Sequence, residues 1–145
     1  VTSDAPSPET VSANDQNRAE FSARCDAVEE AYEFMLAYAA QGLAGEEGSQ
    51  SGGQIRPFLQ KCDAALAGLP DVLGRCATPS AAYEAFVGVV EADVRRARAA
   101  VQLVLAQPSI GSQLVDNLNA SLHLRTVLTD LFLLDDVLTV RSRPR

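Results

Sequence analysis

The sequence is poor in the residues that build most catalytic and cofactor sites. It has one histidine, His123, no tryptophan, one methionine and three cysteines. One histidine excludes a three-histidine zinc site within the chain. It also excludes a di-iron bundle, which needs Glu-x-x-His on two helices. No CxxC, zinc-ligand spacing or CxxCH haem-attachment motif is present. No cofactor is therefore expected. Lysine occurs once, at Lys61, and the net charge is −7. That balance argues against a nucleic-acid partner, which calls for a basic footprint. It equally disfavours an anionic membrane surface. No run approaches the roughly 20 apolar residues of a transmembrane segment. The run Leu131 to Leu134 stops at Asp135 and Asp136. A cytoplasmic setting is favoured; because the chain starts at Val1 and not at methionine, secreted and organellar settings remain open.

What is present is apolar and helical. Hydrophobic residues make up 47% of 145 residues, enough to build one domain with a substantial core. Val1 to Ala13 has the Ser, Thr, Pro and Asp content of an extended leader or linker, leaving 14–145 as one helical domain. A first helix starts near Asn14 or Asp15, buries Phe21, Cys25, Val28, Tyr32, Met35, Leu36 and Ala39, and stops at Gly42. Leu43 to Gln54 reads as a flexible connector; it lacks the lysine of a phosphate-binding loop. A short second helix spans about Ile55 to Leu69, with Pro57 in its first turn and Pro70 as its stop. Thr78-Pro79 opens a third helix that keeps helical period to Ala106. The last helix runs from Ser112 to about Arg141. No strand-like alternation occurs. Three long helices, one short helix and short connections predict an all-α, up-down antiparallel four-helix bundle with an extended N-terminal leader.

In that bundle Cys25 and Cys62 stand at different heights, too far apart for a bridge. The three cysteines are read as thiols. If a disulfide forms, Cys25–Cys76 is the pair expected, with Cys62 free.

The last helix carries most of the information. At about 100° per residue, Leu114, Val115, Leu118 and Leu122 form one apolar face. Leu124, Val127, Leu128, Leu131, Leu134 and Leu138 form another on nearly the opposite side. The face changes near His123. Such a helix either bends or passes from one packing partner to another, and a symmetric dimer is the commonest second partner. Those six residues are therefore the candidate interface. Asn119, His123, Thr126 and Asp130 share one side and form a candidate polar site. No nucleophile–base pair accompanies His123, since Asp116 and Asp130 lie two turns away on either side, so no catalytic residue is assigned.

Leu124-Arg125-Thr126-Val127-Leu128-Thr129 resembles the LRTPLT of the sensor histidine kinase H-box. That family's phosphorylated histidine stands two residues before the leucine, where this chain has Leu122, and Val127 replaces the family's proline. The resemblance implies, as an alternative, a histidine phosphotransfer module using His123. The usual His-x-Leu-Lys-Gly pattern of phosphotransfer bundles is absent. A second alternative is a bundle holding a small apolar ligand or pigment. The reading favoured by the sequence is a non-enzymatic interaction or regulatory protein, a homo-oligomer or the binder of another protein, that associates through its C-terminal helix.

Overall fold

The computed structural model describes residues 8–76 and 80–142, and the side chains of 13–76 and 80–140. They form α1 (Pro8–Ala40), α2 (Gln50–Arg75), α3 (Ala81–Leu105), α4 (Ser112–Ala120) and α5 (His123–Ser142), with no strand among the described residues. α1 packs on α2, α4 and α5; α3 packs on α2, α4 and α5. The five helices enclose one apolar core.

The expected continuous last helix is two helices. α4 closes at Ser121, whose N–H reaches Asn117 O at 3.0 Å and whose Oγ donates to Leu118 O at 2.6 Å. Leu122 then takes φ 66°, the left-handed conformation that a side chain disfavours. α5 starts on the same carbonyl: Thr126 donates to Leu122 O from its N–H at 2.9 Å and from Oγ1 at 2.8 Å. The left-handed residue costs about 1–2 kcal/mol. It re-aims α5 so that Leu124, Val127, Leu128, Leu131, Leu134 and Leu138 are all 5% exposed or less. Burying a side chain of that size stabilises by about 1.5–3 kcal/mol. Packing therefore outweighs the strain several-fold, and the change of apolar face in the sequence is the signature of this break.

The second helix is not short. Ser49 caps it, its Oγ accepting from Gly52 N–H at 2.9 Å, and it continues through Pro57 and Pro70 to Arg75. An interior proline removes one hydrogen bond and costs about 3 kcal/mol. Beyond Pro70, Val72 and Leu73 are fully buried, which offsets that cost. Arg24 of α1 also braces the turn before Pro70, donating Nη1 to Ala64 O at 3.1 Å and Ala65 O at 3.2 Å. Its guanidinium occupies the space of a side chain at Gly68, where a Cβ would lie 2.2 Å from Arg24 Cζ. The short helix of the fold is α4.

The first helix begins earlier than expected. α1 takes in residues 8–13 of the anticipated leader, and residues 1–7 lie outside the described residues. Leu36, assigned to the buried stripe, is 48% exposed, whereas Tyr38 is fully buried. Gly42, at φ 68°, follows α1 as anticipated. Thr78 and Pro79 lie outside the described residues; the cap of α3 is Ser80, whose Oγ accepts from Tyr83 N–H at 3.2 Å.

The connector after α1 is a clamp. Tyr38 OH donates to Ile110 O at 2.5 Å, and Ser112 Oγ donates to Tyr38 O at 2.6 Å. Leu43 N–H donates to Ser112 Oγ, and Ser112 N–H returns a bond to Leu43 O, both at 2.8 Å. Arg56 grips Glu46 through Nε and Nη2, each at 3.0 Å, and reaches the end of α3 by donating to Leu105 O and Gln107 O. Glu46 Oε2 accepts from Ile110 N–H at 3.0 Å. The Arg56 hydrogen bonds hold the Glu46 carboxyl below its ordinary range. The connectors on either side of α2 and α3 are thus fastened together at one end of the molecule.

Candidate functional site

Of the two apolar faces read in the last helix, the structure buries the first through Val115 and Leu118 of α4, and it buries the second, the expected interface, as well. The six candidate interface residues, Leu124, Val127, Leu128, Leu131, Leu134 and Leu138, lie in the chain's own core. The left-handed turn at Leu122 directs them inward, so none is on the surface for a partner. The outward face instead carries Phe132 and Leu133, each 52% exposed, Val137 at 36% and Val140 at 65%. At about 100° per residue, Arg125, Thr129 and Asp136 form a polar line between Phe132 and Leu133. All three are exposed. Neither Arg125 nor Asp136 belongs to an ion pair among the described residues; the nearby Asp135 is 3.8 Å from Arg18.

The candidate polar site is divided by the helix break. Asn119 lies at the end of α4, and both polar atoms of its amide are buried with no hydrogen-bond partner. His123 opens α5, half-buried. Thr126 spends its hydroxyl on Leu122 O, and with Leu122, Arg125, Thr129 and Asp130 it lines a surface groove of about 300 Å³. Of the four, Thr126 and Asp130 line that groove together.

Asp130 has a partner the sequence did not reveal, Asp93 on α3. The two carboxyls face one another across the α3–α5 seam, and Asp130 Oδ2 is buried without a donor. Partial burial first, then the Asp93 carboxylate as acceptor and as like charge, push Asp130 up to about 7. Two carboxylates in this position repel, and one shared proton turns the contact into a hydrogen bond. Arg96 Nη1 pairs with Asp93 Oδ1 at 3.2 Å. Seven residues on α5 separate Asp130 from His123, so helix periodicity offered no hint of a partner on α3. The pair joins two helices, and the two hydroxyls in the groove beside it, those of Thr126 and Thr129, donate to Leu122 O and Arg125 O of the same segment.

A second groove of about 580 Å³ follows the α2–α3 seam, between Ala67 and Pro70 on one side and Glu91, Arg95, Arg98 and Gln102 on the other. Arg98 is held there by Asp63 at 2.9 Å. Neither groove is an apolar enclosure for a ligand. All three cysteines are free thiols. Burial pushes Cys25 and Cys62 up to about 12 and raises Cys76 as well, so they are poor nucleophiles. Among the described residues, no cluster of three or more His, Cys, Asp or Glu side chains is placed to hold a metal ion, and no helix is long and apolar enough to cross a membrane.

Comparison with protein-family models, curated proteins and solved structures finds no match to this chain.

Proposed function

We propose that this chain is a non-enzymatic helical interaction protein that self-associates through the outward face of its C-terminal helix. The observation that carries the reading is the row Phe132, Leu133, Val137 and Val140, four large apolar side chains exposed on one helix whose opposite face is already buried. Scattered exposed apolar residues are ordinary, but four of them grouped on one helix, on both sides of a narrow polar line, support an association surface. The buried thiols, and the hydrogen bonds that tie the Thr126 and Thr129 hydroxyls beside Asp130 to backbone carbonyls, favour this reading over catalysis.

The proposed architecture is an up-down four-helix bundle in which α4 and α5 in succession supply the fourth member. Cross-helix contacts support that order. Asn17, near the start of α1, donates to Arg75 O at the end of α2. Arg56, near the start of α2, reaches the end of α3. Tyr38, near the end of α1, meets Ile110 ahead of α4, and Arg18 meets Asp135 near the end of α5.

Sedimentation equilibrium of the intact chain over a wide concentration range tests the reading. A mass that rises from monomer towards dimer is expected; a strict monomer at the highest concentration ends it.

A further inference from the structure

We infer that the partner on the α5 face is a second copy of the same chain, with the two α5 helices antiparallel. This rests on the self-association proposed above and adds the orientation and the residues that set it.

The charges inside the apolar face decide the orientation. Arg125 and Asp136 are exposed, opposite in sign and without an ion-pair partner among the described residues. They lie on the same line of α5, between Phe132 and Leu133. By helical rise they stand about 16 Å apart, too far to meet within one chain. Covering the apolar face removes water from both, and a charge buried without a partner is costly.

Two-fold symmetry leaves two simple ways to pair the helices. With the axis parallel to α5, Arg125 faces its own copy and Asp136 does likewise, so both contacts are repulsive. With the axis perpendicular to α5, the helices run antiparallel, and Arg125 of each copy meets Asp136 of the other. An isologous interface makes each such contact twice, so one residue pair supplies two salt bridges. The short Thr129 lies between them on the same line and leaves room for close approach. Phe132 and the Leu133, Val140 and Val137 group flank the line on either side. A stable dimer buries about 800 Å² per partner, more than one helix face provides alone. The expected affinity is therefore modest, at about micromolar Kd.

The test is a charge-swap cycle read by sedimentation equilibrium, with helicity checked by circular dichroism. Arg125→Glu and Asp136→Arg are each expected to weaken dimerisation about tenfold, because each creates two repulsive contacts. The double variant is expected to return to within about threefold of the parent affinity. A double variant as weak as the combined single effects overturns the antiparallel pairing while leaving self-association standing. Single variants that dimerise like the parent overturn it too. A parent chain that remains monomeric removes the self-association itself.

Discussion

Replacing Asp130 by asparagine is expected to stabilise this protein at neutral and alkaline pH. The side chain keeps its shape, and its amide donates to Asp93 as the protonated acid does, with no proton to hold. The sign of the effect follows from the raised carboxyl. In the unfolded chain Asp130 loses its proton near its ordinary 3.8, whereas in the fold it keeps it to about 7. Between those values the folded chain binds the additional proton, so this pair's contribution to stability falls as pH rises, and above about 7 it levels off. Fully expressed, the difference between 3.8 and about 7 corresponds to about 4 kcal/mol. Asp130 is only partly buried, and screening by solvent reduces this to about 1–2 kcal/mol. In a chain of this length that is a rise in Tm of about 3–6 °C. Thermal and urea unfolding of the parent and Asp130→Asn at pH 5 and pH 8 reads it directly. The variant should exceed the parent most at pH 8 and by less than half as much at pH 5, since the pair's loss begins near 3.8 and is complete only above about 7; groups common to both proteins cancel in the comparison. An equal stability difference at both pH values, or a variant weaker at pH 8, would refute the shared-proton reading.

Two further outcomes test the scaffold. Leu122→Gly should raise stability by about 0.5–1 kcal/mol in urea unfolding, because glycine takes the left-handed turn without strain and Leu122 is already 52% exposed; a loss would show that the Leu122 side chain matters more than its backbone. Arg56→Met should cost about 2–3 kcal/mol by removing the charged bonds to Glu46 and to the end of α3. Because Glu46 titrates below its ordinary 4.5, the stability it contributes is present above that value and lost as pH falls through the folded one. The Arg56 variant should therefore also lose part of the parent's acid sensitivity.

Periodicity made the helices legible, and it made the change of apolar face near His123, where α4 gives way to α5, legible before any contact was known. It could not say that the second face also turns inward. That depends on a single left-handed residue, and leucine carries no sequence signal for that conformation, as glycine at position 42 does. The prolines misled for a related reason. Pro57 and Pro70 are strong local stops, but Val72 and Leu73 beyond Pro70, with Arg24 bracing the turn before it, carry α2 onward. The Asp93–Asp130 pair and the Tyr38–Ser112 clamp join residues distant in sequence, and no local spacing encodes them.

α5 is expected to use one face to fold the chain and the opposite face to associate. Comparing Leu131→Glu with Leu133→Glu, by helicity and sedimentation together, tests it most directly. Leu131 is 1% exposed and Leu133 is 52% exposed, two positions along one helix. Leu131→Glu should lose its cooperative fold, because a charge enters the core without a partner, and Leu133→Glu should keep parent helicity and melting but sediment as a monomer. A folded Leu133→Glu chain that associates as strongly as the parent would contradict it.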